Sequence, residues 1–98
     1  MRKLEIIVTP SAESDMKEIF DYIALDNTKK ALEIIHKFKE KFESIAMFPF
    51  SGVKKSDFII RDVRECIAAK HYQIIYHIKN NSIYILRVLT GYQDLFKQ

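Results

Sequence analysis

The chain predicts an α+β domain: one strand, an antiparallel helical hairpin, then a three-stranded antiparallel meander, with both helices on one sheet face. Three observations carry this. The middle of the chain holds an apolar stripe, Ala31, Ile35, Phe38, Phe42 and Ile45, at alternating spacings of four and three, the period of a helix with one buried side. The last third holds two runs rich in branched and aromatic residues, Tyr72 to Ile78 and Ile83 to Leu89, on either side of the polar Lys79-Asn80-Asn81-Ser82. A single β-branched run stands before the helices. Helices and strands are thus segregated along the chain, as an α+β domain requires.

Leu4 to Thr9 reads as the first strand. Its consecutive apolar residues, Ile6, Ile7 and Val8, predict burial on both faces and so an interior position. Thr9-Pro10 opens the first helix, because Thr caps and Pro suits the first helical position, where its missing N–H costs nothing. Ala12, Met16, Ile19, Phe20 and Ile23 share one face, and the helix is expected to end near Leu25. Asp26-Asn27-Thr28 supplies a break and the next cap. The second helix then runs until Pro49, which restricts Phe48 and cannot continue the hydrogen-bond ladder. Ile34 widens its apolar stripe, and lysines and glutamates fill the other side. A linker of about one turn makes the pair an antiparallel hairpin.

Phe50 to Ser56 reads as a loop, about Ile60 to Ala68 as a strand, and Asp94 to Gln98 as a tail that forms at most one turn. With strict alternation, Ile83, Ile85, Arg87 and Leu89 share one face of the last strand and Tyr84, Leu86 and Val88 the other. Likewise Tyr72, Ile74, Tyr76 and Ile78 oppose Gln73, Ile75 and His77. The sheet face without helices therefore keeps apolar residues, which invites a partner.

Ninety-eight residues, 48% of them hydrophobic, suffice for one domain, 1–98, with its own core. The single Cys66 excludes an internal disulfide or a cysteine metal cluster. No run approaches the ~18 apolar residues of a membrane span, and the basic start Met1-Arg2-Lys3 lacks an apolar signal core. A cytoplasmic protein without membrane contact is expected. A net charge of +3 permits an acidic protein partner or RNA and demands neither. His36, His71 and His77 have no metal-ligand spacing.

Several motifs occur in a telling order: Ser11-Ala12 with Asp15-Met16, Ile19 with Tyr22-Ile23, Pro49-Phe50-Ser51-Gly52, Val63-Arg64, the Tyr72 to Tyr76 strand, and Ile85-Leu86-Arg87-Val88-Leu89 followed by Asp94. In this order and spacing the chain resembles the RelE/ParE superfamily of small bacterial toxins over nearly its whole length, and the ParE branch in particular. The resemblance implies the toxin of a type II toxin–antitoxin pair, with an acidic cognate antitoxin as partner and no cofactor. Toxins of the ParE branch poison DNA gyrase. Those of the RelE branch cleave mRNA in the ribosomal A site.

Metal-free RNA cleavage needs cations on the scissile phosphate and groups that move protons. The positions that the RelE branch uses fall here on Arg64, Cys66, Gln73 and about Gln93, of which only Arg64 is cationic. Tyr92 and His77 are the remaining nuclease candidates, although a histidine among apolar strand residues is more often structural. Contacts to the target or antitoxin fall, on the ParE reading, to Arg64, Tyr76, Arg87, Tyr92 and Asp94. Arg87 inside an apolar strand needs a carboxylate if buried, and Asp94 is the nearest in sequence. Cys66 reads as a small strand filler. Thr90 and Tyr92 stand where the ParE pattern often has a histidine and a basic residue. A gyrase inhibitor is thus the first expectation, and a ribosome-dependent mRNA endonuclease or a diverged antitoxin-binding remnant are the alternatives.

Overall fold

The computed structural model describes residues 3–55 and 62–90. In chain order they form β1 (Glu5–Val8), α1 (Pro10–Ala24), α2 (Thr28–Met47), β2 (Val53–Lys54), β3 (Val63–Ala68), β4 (Tyr72–Lys79) and β5 (Ser82–Thr90). The sheet order is β1-β5-β4-β3-β2. β3, β4 and β5 make the expected meander, and β1 joins it parallel to β5, with Glu5 opposite Ser82.

Local chemistry sets the helix ends. The Thr9 side chain accepts from Ala12 N–H, and Pro10 occupies the first turn of α1. Asn27 caps α2 by accepting from Lys30 N–H at 3.0 Å, and the helix closes on Phe48, just before Pro49. Both helices press their apolar stripes onto one side of the sheet. Phe38, Phe42 and Ile45 meet Ile74, Tyr76, Ile83, Ile85 and Val88 there, and the Phe38 ring stands edge-on to Tyr72 at 5.2 Å. Burying a phenylalanine such as Phe38 contributes roughly 2 kcal/mol.

Three expectations are corrected. β1 is an edge strand and not an interior one. Its Ile6 and Val8 serve the core under the helices, while Ile7 is half-buried. An apolar run survives at this edge because α2 lies close: the carbonyl of Ala46 accepts from Leu4 N–H at 3.1 Å. Val53–Lys54, expected within a loop, pairs antiparallel with Glu65 and Arg64, so the sheet has five strands and not four. The expected start of the third strand near Ile60 falls outside the described residues, which show β3 from Val63.

The third correction has the widest effect. Pairing runs Ile75 to Arg87 and then Tyr76 to Ile85, skipping Leu86. The extra residue is a β-bulge, and it shifts the side-chain phase by one. Val88 therefore joins Ile83 and Ile85 in the core. Arg87 is carried to the side of Ile75, which is the face without helices.

Both hairpin turns place two residues at positive φ: Asn80 and Asn81 (52° and 64°), and Ala69 and Lys70 (49° and 70°). Asn80–Asn81 is a two-residue turn, which suits right-twisted strands, and asparagine tolerates the conformation, whereas the β3–β4 turn spans three residues, Ala69 to His71. Alanine and lysine pay a Cβ clash for it. Among the described residues no helix is long and apolar enough to cross a membrane. We expect Lys70→Gly to raise stability by about 0.5–1 kcal/mol, read as a higher urea midpoint at unchanged slope.

Candidate functional site

Two polar constellations lie at opposite ends of the sheet. The first holds the segment after α2. Tyr76 is fully buried, and its hydroxyl donates to the Pro49 carbonyl at 2.8 Å and accepts from Gly52 N–H at 2.9 Å. Arg64, opposite Tyr76 in the β3–β4 ladder, donates to the Gly52 carbonyl at 2.9 Å and to that of Phe50 at 3.4 Å. Its guanidinium also lies 5.0 Å from the centre of the Phe50 ring. The Pro49-x-x-Gly52 motif follows from this geometry. A Cβ on residue 52 would stand 2.5 Å from the Tyr76 hydroxyl and 2.9 Å from the Glu65 carbonyl, so only glycine fits. Burial pushes the Tyr76 hydroxyl pKa up, against the opposing pull of the Gly52 N–H, and keeps it a donor. Tyr76 was expected among partner-contacting residues. A fully buried ring offers a partner no surface, and its place in this fold is structural.

The second constellation joins α1 to the bulge. Asp15 takes a two-point contact from Arg87, with Nε donating at 2.7 Å and Nη2 at 2.9 Å, and also accepts from Val88 N–H at 2.9 Å. Arg87 was expected to be buried and paired with Asp94. Its side chain is about half exposed (49%), and among the described residues the carboxylate it meets is Asp15, itself only 13% exposed. Asp94 and Tyr92 lie outside the described residues. Burial pushes the Asp15 carboxyl up, but the Arg87 and Val88 hydrogen bonds and the arginine charge outweigh it and hold its pKa below the ordinary carboxylate range. Just before α1, the Thr9 hydroxyl contacts the carbonyls of Ile85 and Leu86 at 2.8 and 3.2 Å, and Thr9 N–H also donates to Ile85.

Among the described residues the nuclease candidates do not converge. Arg64 and Cys66 share the sheet side of Tyr76 and Ile74, toward the helices, whereas Gln73 and His77 face the other way. Gln73 is engaged as a donor to Glu65 at 2.7 Å, and Glu65 also pairs with Lys55 at 3.2 Å. His77 is half-buried beside Tyr84, with ring centres 6.3 Å apart, and its Nδ1 finds no partner. Burial pushes the Cys66 thiol pKa up, despite the charge of Lys41, which argues against a reactive thiolate. His71 is exposed, and His36 lies beside Glu40 on the outside of α2. Among the described residues no three His, Cys, Asp or Glu side chains gather as a metal site requires.

Sequence reading missed Asp15 as a partner of Arg87. The signal was present, since the acidic residue before Met16 and the arginine of the last strand belong to the same set of motifs.

Tyr76→Phe leaves the Gly52 N–H and the Pro49 carbonyl without their partner and is expected to cost about 1–3 kcal/mol in chemical denaturation. Asp15→Asn is expected to cost about 1 kcal/mol at pH 7, because water screens the half-exposed Arg87. A carboxyl with a depressed folded-state pKa contributes stability above its unfolded pKa and loses it as pH falls through the folded value. The gap between wild type and Asp15→Asn should therefore close on acidification below the ordinary carboxyl pKa of 3.8, in unfolding curves recorded from pH 7 downward.

Comparison with known proteins agrees with the geometry. Residues 6–95 match the family described as the ParE toxin of the type II toxin–antitoxin system parDE. The chain is similar to Toxin ParE3 of Caulobacter vibrioides, 26% identical over 94 residues that cover 95% of this chain and 92% of that protein. It shares its fold with a chain of the chromosomal ParDE system from P. aeruginosa, with a TM-score of 0.73, 21% identity and coverage of 90% and 96% of the two chains. A conserved hypothetical protein from Helicobacter pylori, solved in solution, follows with a TM-score of 0.53, 20% identity and coverage of 91% and 96%. The chain thus belongs to the ParE family of type II toxins, the ParE branch of the RelE/ParE superfamily.

Proposed function

We propose that this toxin acts in the cytoplasm by inhibiting DNA gyrase and is held silent by a cognate antitoxin. The observation that carries the choice of gyrase over mRNA is the division of the described nuclease candidates between two sheet faces. A metal-free ribonuclease must gather cations and proton-transfer groups around one phosphate, and losing one good donor typically costs ~10²–10³ in rate. Arg64 is committed to the carbonyls of Phe50 and Gly52 on the helix side, and Gln73 and His77 lie on the other side. Gyrase binding needs only a complementary surface. Arg87, half exposed and fixed by Asp15, offers a preset cation for it, and Tyr92 and Asp94 follow in sequence. The antitoxin reading is supported by family membership and by the parDE name of the matching family.

The test is paired. Purified toxin is incubated with gyrase and relaxed plasmid, and separately with programmed ribosomes. Inhibited supercoiling with intact mRNA is expected, and Arg87→Ala should weaken the inhibition by at least about tenfold. Codon-specific cuts that vanish in Arg64→Ala, with supercoiling untouched, would overturn the assignment to gyrase.

A further inference from the structure

β1 is one edge of the sheet, and the direction of its backbone groups can be read from two bonds. Thr9 N–H donates inward to the Ile85 carbonyl, and Leu4 N–H donates outward to the Ala46 carbonyl. Along a strand these groups alternate in direction. Glu5 and Ile7 therefore turn their N–H and C=O toward β5, and Ile6 and Val8 turn theirs away from the sheet. Among the described residues nothing takes the four groups of Ile6 and Val8. The contact from Leu4 to Ala46 covers one end of the edge only. Native edges are usually guarded by lysine, proline or an inward charge. Here the run is Glu5-Ile6-Ile7-Val8, and the Glu5 carboxylate faces Ser82 of its own sheet at 3.5 Å. Ile6 and Val8 send their side chains to the core, and Ile7 lies half-buried beside Tyr84 on the face without helices.

We propose that this edge pairs with itself: two copies of the chain join through antiparallel β1 strands about a two-fold axis at Ile7, and their two sheets become one. The register follows from the free groups. With Ile7 opposite Ile7, Ile6 stands opposite Val8 of the other copy, and all four free groups on each chain find partners. The next outward position opposes Leu4 to Pro10, where Leu4 N–H is already taken and proline has none to offer. Centring on Ile6 instead would set Val8 against Leu4 and leave a Val8 carbonyl without a donor. At the axis the two Ile7 side chains meet in a non-hydrogen-bonded pair, the closer kind, with a Tyr84 beside each. Thr9 stands opposite Glu5, so no like charges face each other across the seam. A second copy suits this edge better than an unrelated extended peptide. Only two residues offer outward groups, and the same strand reversed supplies both the complementary groups in register and a matching isoleucine.

The purified chain is followed by sedimentation equilibrium and by oxidative cross-linking, with thermal melts to check that each variant folds. Wild type should dimerise reversibly with a micromolar Kd, as a small seam allows. Ile7→Lys sets two ammonium groups in direct opposition at the axis and should weaken the dimer by at least about tenfold. Ile7→Cys/Cys66→Ala should form a disulfide-linked dimer, because a non-hydrogen-bonded pair holds its Cα atoms about 4.5 Å apart, within the span of a disulfide. Glu5→Cys/Cys66→Ala should not, since its two sulfurs would stand four residues apart along the seam, ~13 Å. The cysteine variant introduces no charge and decides the matter if Ile7→Lys does not fold. Wild type that stays monomeric up to its solubility limit overturns the proposal. So does undiminished dimerisation of folded Ile7→Lys, or Glu5→Cys/Cys66→Ala that links as readily as Ile7→Cys/Cys66→Ala. None of these readouts involves gyrase or an antitoxin, so the outcome is independent of the function proposed above.

Discussion

The bulge at Leu86 is the constraint on which the rest of the structure depends. β5 lies between β1 and β4, and it must serve the helical core along its whole length. An uninterrupted strand would send Arg87 under the helices and Val88 out. One inserted residue reverses both. The bulge in turn is held by the segment that begins α1. Thr9 takes the carbonyls of Ile85 and Leu86, and Asp15 takes the Val88 N–H and the Arg87 guanidinium. These groups occupy the edge that β1 vacates when it ends at Val8. Backbone groups left unpaired there would each carry a desolvation cost. The same contacts set the angle at which α1 leaves the sheet.

A second anchor sits at the other end of α2. The turn after Pro49 has little apolar contact of its own, and Phe50 is largely exposed. Its conformation comes from the Tyr76 hydroxyl, reached from inside the core, and from Arg64, reached from β3. β2 is only two residues long and follows directly from this pinned turn. Arg64 thus has a structural task that accounts for a cation in an otherwise unremarkable strand, without assigning it chemistry.

Helix positions, caps and the meander were legible in the sequence because each rests on local rules. Thr9-Pro10, Asn27 and Pro49 act within a few residues of themselves, and the apolar stripe of α2 repeats over about four turns. Features that depend on distant pairing were not legible. The bulge leaves no local mark, because Ile85-Leu86-Arg87-Val88 alternates well enough as a regular strand. A partner for Arg87 was sought nearby, at Asp94, which lies outside the described residues, and Asp15, 72 residues upstream, was not foreseen. β1 read as interior because apolar continuity does not distinguish an edge covered by a helix terminus from a central strand. At the candidate site, residue types alone showed that cations were scarce at the nuclease positions. Only the ladder register showed that these positions face opposite ways.

The parallel pairing of β1 with β5 bears on how the molecule assembles. Glu5 and Ser82 are neighbours in the sheet and 77 residues apart in the chain. Loop closure over that separation is entropically costly, and contacts of this range form late. During synthesis the helical hairpin and the β3–β4 turn can emerge and collapse first, but β1 has no strand to join until β5 has left the ribosome. The clamp on Arg87 draws one half from α1 and the other from β5, so it too waits for β5. A nascent chain therefore carries the ingredients of the toxin without its finished surface, which delays any harm until β5 has been made.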